Sequence, residues 1–421
     1  MRFAPTDEQL ELSRTAERLL ATHARRNTLP PPWDAIPQTL NRELWASLAE
    51  LGLLGLGVPE RLGGSGGGVA DLCVLAERAG AALPTLPFAA TATVAAVLAE
   101  HADSPATRAA LAGVVSGSTV AVPAWETFPA DMVPGRRAGS LTLNGSAAHG
   151  MLAAVPFGLD AELLLAFADE GSAPARPVLV ELAEPTTART SVESLDVTEP
   201  MASLRLTGAP AIPLGPLSAH TAARLLTVLA AELIGTGRRA LEGAVEYAGQ
   251  RRQFGRPIGS FQAIKHVLAD RSVQLDAAWM LVREAAHALD GERADADVAA
   301  RTAVAAAADA VEAVTADALQ THGGIGFTWE HRSHVLLRRA RARRSLLGPP
   351  ARRTRRPPTR IGASVLTPAL RAVTSRRAAR DRAVRGLRQL PAGAAAHDLP
   401  HSPSTQLDCS DPYSTGILAT E

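Results

Sequence analysis

At 421 residues the chain can bury a large core and divides into about two to four units. Apolar residues make up 46% and aromatics 4% at a net charge of +1, so alanine and leucine must fill the interior, which favours helices. No apolar run reaches the roughly 18 residues of a membrane helix, residues 1–9 lack the layout of a signal peptide, and Cys73 and Cys409 have no metal-ligand spacing around them. These features exclude a membrane span, a disulfide framework and a structural zinc, and point to a cytoplasmic protein.

The small net charge hides an asymmetry. Residues 349–421 hold 12 arginines against 5 acidic residues, whereas the rest holds 31 basic against 37 acidic. Lys265 is the only lysine, so the arginine excess reads as coding bias more than as a nucleic-acid surface.

Residues 3–26 read as a helix capped by Thr6 or Asp7, with Leu10, Ala16, Leu19 and Leu20 apolar. Pro30, Pro31 and Pro32 break it. A second helix is expected over 38–51, from Leu40, Leu44, Leu48 and Leu51. The glycine-rich segment 58–68 lacks the Gly-Lys-Ser/Thr ending of a phosphate loop and follows no clear strand, so it reads as a structural connection more than a phosphate cradle. Helices resume at 69–82, 87–101 and 105–115. From Thr119 the pattern changes to strands, at 140–145 (ending in the turn signal Asn144-Gly145), 162–168, 177–182 and 202–206.

Beyond Pro216, Leu225, Leu229, Leu233, Leu241, Val245 and Ala248 recur at helical spacing, and Ile264, Leu268, Leu275, Ala278, Val282, Ala286 and Leu289 do so again. Between them Phe254-Gly255 and Pro257 force a tight turn crowded with arginine and glutamine donors. An alanine-rich helix over 294–321 then ends in Gly323, Gly324 and Gly326, which supply a cap and bring bare backbone N–H groups close to any docked anion. The tail from 349 loses periodicity and reads as disordered, with a helix over 368–390 as an alternative. A phosphate-binding arm there would lack aromatic interleaving.

Two long runs, RRQFGRPIGSFQAIKHVLAD from Arg251 and LQTHGGIGFTWEH from Leu319, closely resemble the acyl-CoA dehydrogenase family in order and separation, and the likeness extends weakly over residues 1–348. The resemblance implies an α+β fold: an N-terminal helical domain (1–118), a small central β-barrel (119–215) and a C-terminal four-helix bundle (216–348), with the basic tail (349–421) outside it. It implies FAD as cofactor, an acyl-CoA substrate, an electron-transfer flavoprotein as acceptor, and a homo- or hetero-oligomer with a homologous subunit. Arg251 falls on the arginine that grips the FAD pyrophosphate, Gln253 and Phe254 beside the adenosine part. Gln320, Gly323 and Gly324 fall on a neighbouring subunit's share of the same dinucleotide. Read alone, Arg251 is equally a helix-surface charge and Gly323 a cap.

Three departures accompany the likeness. The segment 123–131 replaces the family's Thr-Glu-Pro-containing first barrel strand, which puts flavin-ring contacts there in doubt. The family's usual catalytic glutamate position is Leu347, before Gly348, and a minority position on the first bundle helix is Leu225. Neither can accept a proton. The nearest ionisable substitute is Glu232, alternatively solvated or paired with Arg238 or Arg239. Such chains resemble actinobacterial subunits that work beside a base-bearing homologue on bulky CoA thioesters, steroid side chains included. His266 and Asp270 share a helix face without a third metal ligand nearby, and Glu330 and His331 are read as structural groups before acid–base ones.

Overall fold

The computed structural model describes residues 4–26, 39–129, 132, 141–171 and 173–347. The proline break at 30–32, Ser140, Gly348, Cys409 and the tail from 349 lie outside the described residues.

Helix α1 (Asp7–Arg26) starts at a reciprocal cap: Gln9 N donates to Thr6 Oγ1 at 3.2 Å while Thr6 N donates to Gln9 Oε1 at 3.3 Å. Helix α2 (Arg42–Glu50) is shorter than expected because Asn41 caps it, Oδ1 accepting from Leu44 N at 3.1 Å. Leu40, read as helical, instead donates its N–H to Asp160 Oδ2 of the barrel at 2.9 Å. Helices α3 (Val69–Ala82), α4 (Phe88–Glu100) and α5 (Pro105–Val115) form where the spacing places them. The glycine-rich loop before α3 spends its donors on itself. Gly57 N reaches Gly66 O at 2.7 Å and Gly66 N reaches Val58 O at 3.0 Å. The first amides of α3, Val69 N and Ala70 N, donate to the Asp290 carboxylate at 2.6 and 3.0 Å. A helix start already holding a carboxylate has no vacancy for phosphate.

Strands β1 (Ala121–Pro123), β2 (Leu141–Asn144), β3 (Ala147–Pro156), β4 (Leu163–Glu170), β5 (Ala173–Glu181), β6 (Thr187–Val192) and β7 (Met201–Pro213) follow. The order β4-β2-β3-β7-β5, with β5 returning to β4, closes a small barrel. β1 lies parallel on β4 and β6 antiparallel on β7. The Asn144-Gly145 turn joins β2 to β3. Strands β3 and β6 carry little sequence signal, because β3 shifts register twice against β7 and only Thr187 of β6 is buried. Around the end of β1, Trp125 and Phe128 lie with ring centroids 5.2 Å apart, and Phe128 meets Phe167 edge-on at 5.0 Å.

The C-terminal bundle comprises α6 (Ala219–Gln250), α7 (Gln262–Asp290), α8 (Ala296–His322) and α9 (Ser333–Leu347). Helix α6 is the hub, touching α3, α4, α7, α8 and α9. Its crossing with α3 is backbone against backbone. A Cβ on Gly80 would fall 1.9 Å from the Glu232 carbonyl oxygen, and one on Gly235 would fall 1.8 Å from that of Glu77. The Thr236 hydroxyl closes the crossing by donating to Gly80 O at 3.1 Å.

A buried charge cluster pins the barrel to this bundle. Asp196 and Glu199, on the loop before β7, meet Arg339 and Arg343 of α9 and Glu232 of α6, all less than a tenth exposed. Arg339 donates to Asp196, to Glu232 Oε1 at 2.6 Å and to Thr198 Oγ1 at 2.6 Å. Arg343 grips both Glu199 oxygens at 2.9 Å and reaches Glu232 at 3.0 and 3.2 Å.

Removing one cation strands buried carboxylates, so Arg343→Met should cost about 3–5 kcal/mol in chemical denaturation, and Arg343→Met with Glu199→Gln should recover part of it. Stability should also fall in acid below about pH 4.5: Glu232 has a depressed folded pKa, so its contribution is complete above the ordinary value of 4.5 and is lost as pH drops through the folded one. At the crossing, Gly235→Ala forces two backbones apart and should cost about 3 kcal/mol, whereas Gly243→Ala, with no atom within 4 Å of the added carbon, should be neutral or stabilising.

Candidate functional site

Leu225 and Leu347, the two positions where a proton acceptor was sought, are both buried leucines, 5% and 0% exposed. Leu347 ends α9, one turn beyond Arg343, and Leu225 lies two turns before Glu232 on α6. Glu232 itself lies inside the charge cluster. Burial alone would raise its pKa, yet the Arg343 and Arg339 guanidiniums and their hydrogen bonds outweigh burial and hold it below the usual carboxylate range. A general base needs a pKa tuned upward toward neutrality, whereas that of Glu232 is pulled down and both its oxygens are bonded to guanidiniums. The partners expected for it are also different: Arg238 instead binds Glu77 at 2.7 Å, and Arg239 lies 3.8 Å from Glu242.

On the barrel side, Thr127 and Glu126 lie within the segment that departs from the family pattern. The Thr127 hydroxyl donates to Ala124 O at 2.8 Å and accepts from Phe167 N at 2.8 Å, fully buried. Glu126 Oε1 accepts from Ala154 N at 3.1 Å. Both side chains serve the barrel backbone.

The arginine-rich turn is open by contrast. Arg251 caps α6, and strands β8 (Arg252–Gln253) and β9 (Arg256–Pro257) form a two-residue hairpin over Phe254 and Gly255, whose φ angles are 53° and 76°. Arg251, Gln253 and Phe254 are all exposed, Phe254 to 91%. Arg251 has no ion-pair partner among the described residues. Gln320 is exposed near the end of α8. At Gly323 (φ 63°) and Gly324 an added Cβ would meet nothing within 4 Å. The two motifs adjoin, since Tyr247, one turn before Arg251, lies 4.8 Å ring to ring from His322, the residue before Gly323. Unpaired guanidinium, exposed aromatic ring and bare glycine backbone form a donor set that suits a dinucleotide.

A histidine cluster closes the glycine loop, and sequence reading did not find it. His322, Ser333, His331 and His334 are brought together by the turn between α8 and α9, with His322 and His331 rings 4.1 Å apart. The available signal was three histidines and a serine within thirteen residues of a glycine run. His266 and Asp270 are exposed on α7. Glu330 is exposed too, its carboxyl held down by the Thr328 hydroxyl. Among the described residues no group of three His, Cys, Asp or Glu side chains is placed to hold a metal, and no helix is long and apolar enough to cross a membrane.

Comparison with known proteins matches residues 6–118 to the acyl-CoA dehydrogenase N-terminal domain and residues 221–355 to the acyl-CoA dehydrogenase C-terminal domain. The acyl-CoA dehydrogenase FadE34 of Mycobacterium tuberculosis is 36% identical over 75% of this chain, which spans only 41% of that relative's length. The acyl-CoA dehydrogenase IpdE2 of the same organism is 33% identical over 84% of this chain and 97% of its own. In the solved ChsE4-ChsE5 complex, also from Mycobacterium tuberculosis, a chain superposes with a TM-score of 0.73 at 27% identity, covering 85% of this chain and 97% of that one. With both helical ends matched and a relative one-third identical across nearly its whole length, the chain belongs to the acyl-CoA dehydrogenase family of FAD-dependent flavoproteins.

Proposed function

We propose that this chain supports the α,β-dehydrogenation of an acyl-CoA thioester as one subunit of a mixed assembly, in which a homologous subunit contributes the proton acceptor. The observation that carries this reading is the pair of buried leucines at the base positions, together with a Glu232 whose oxygens are bound by two guanidiniums. Dehydrogenation needs a carboxylate to take the α-proton, and leucine offers no lone pair. Arg251, Gln253 and Phe254 on one side and Gln320, Gly323 and Gly324 on the other would hold FAD, which supplies the hydride acceptor when bound. Their exposure suits a dinucleotide completed between two subunits. The thioester is a bulky acyl-CoA of the lipid or steroid side-chain type, and electrons pass on to an electron-transfer flavoprotein. The ChsE4-ChsE5 complex is a precedent for pairing two such chains.

Purified alone, the chain should reduce no dye with any acyl-CoA, and co-purified with a base-bearing homologue it should. Activity of the lone chain would sink the proposal. Arg251→Ala should weaken flavin retention about 10- to 100-fold, the worth of a charge-assisted phosphate contact; full retention by visible absorbance would reject that assignment. In the paired enzyme Glu232→Gln should leave the turnover number within about twofold while lowering thermal stability. A collapse of turnover at unchanged stability would identify Glu232 as the base after all.

A further inference from the structure

The loop from Gly323 to Arg332 is tied at both ends through one hydroxyl. Ser333, first residue of α9 and 4% exposed, places Oγ 3.0 Å from His322 Nδ1 and 2.8 Å from His331 Nδ1. The proton positions follow from the partners. His322 Nδ1 lies 2.7 Å from the Ala318 carbonyl oxygen, which only accepts, so this nitrogen carries the proton. Ser333 Oγ therefore accepts from His322 and donates its own proton onward. His331 Nδ1 is the acceptor at the end of the relay, and it also accepts from Ser333 N–H at 3.2 Å. With two donors aimed at one nitrogen, His331 must be neutral. The His322 and His331 rings lie tilted at 47° with centroids 4.1 Å apart, and the Tyr247 ring of α6 lies 4.8 Å from the His322 ring, centroid to centroid.

We infer that Ser333, with His322 and His331, forms a positioning clamp that fixes the Gly323–Gly324 backbone for dinucleotide binding and opens when His331 is protonated. The clamp rests on the reading of Gly323 and Gly324 as FAD contacts proposed above. Beside it those glycines, which have no side chain to pack, are held by backbone alone: the Gly323 N–H bonds to the Leu319 and Gln320 carbonyls, and the short helical turn Gly323–Phe327 follows.

Two neighbouring histidines oppose protonation of His331. Burial first, then His322 and His334, push its pKa below the ordinary 6.5. Arg332, beside it in the chain, faces Arg239 of α6, and Arg338 of α9 faces His334. Because the folded pKa is depressed, the clamp is complete above about pH 6.5 and weakens as pH falls below it.

The test uses the full chain with its co-purified homologue and two readouts: hydrogen–deuterium exchange of peptides covering 323–332, corrected for intrinsic rate, and FAD affinity by fluorescence titration from pH 8 to 5. Loss of the relay should cost about five- to tenfold in loop protection and in FAD affinity at pH 8 in Ser333→Ala. Ser333→Thr, which keeps the hydroxyl, should restore both. His331→Phe keeps the ring contact with His322 but not the acceptor, so it should match Ser333→Ala and lose the wild-type decline in affinity below pH 6.5. Unchanged protection in Ser333→Ala, with the melting temperature also unchanged, overturns the clamp. Lowered protection with unaltered FAD affinity overturns its positioning role. Absence of flavin from the wild-type assembly at every pH removes the reading of the glycines as FAD contacts, and exchange then still reports separately on whether the hydroxyl ties the loop.

Discussion

Three carboxylates and two guanidiniums shut away from water between the barrel and the bundle are the constraint on which the rest of the molecule depends. Charges buried to this degree are tolerated only when they are paired and hydrogen-bonded, and here Arg343 Nε alone of the two guanidiniums' N–H groups is left buried without a partner among the described residues. Arg339 and Arg343 therefore dictate where α9 lies against α6, and Asp196 and Glu199 dictate where the barrel loop meets both. Helix α9 is held at its middle. Ser333 at one end reaches the glycine loop, and Leu347 at the other closes the position where a proton acceptor was sought.

The edge bearing Arg251, Phe254 and Gly324 is exposed, whereas Leu225 and Leu347 are buried. Glu232, two turns from Leu225 on the same helix, is committed to holding the helices together. Burial with a cation drives a carboxylate's pKa down, and burial without one drives it up. The same residue type thus serves structure or catalysis according to its neighbours. Here two arginines decide.

The helices were legible because apolar residues recurring every three or four positions mark a buried face, and the caps at Thr6 and the glycines after His322 marked ends. The family resemblance, resting on the runs at 251–270 and 319–331, supplied the barrel between helical blocks. Strand β6 escaped because an edge strand such as Thr-Ala-Arg-Thr-Ser-Val faces water and has no apolar alternation to show. Asn41 as the start of α2 was missed because leucines on either side continued the helical spacing. Of the site, the two leucines at the expected base positions were readable, and the structure buries both. The fate of Glu232 was not, since its partners lie 107 and 111 positions away in sequence and meet it only once the bundle is assembled. The Ser333 relay was hidden for the opposite reason: its members are close in sequence, but their hydrogen bonds depend on the angle between α8 and α9.

The crossing of α3 and α6 bears on how such a chain can diverge. Gly80 and Gly235 each face a main-chain carbonyl of the opposite helix, so a larger side chain at either has no neighbouring side chain that could shrink to make room. The usual route of paired compensating substitutions is closed, and the spacing of the two helices can change only by shifting an entire helix. Drift in this lineage is thereby channelled to the barrel edges and the loops, while the hub keeps a fixed geometry whichever chemistry the surrounding residues retain or lose.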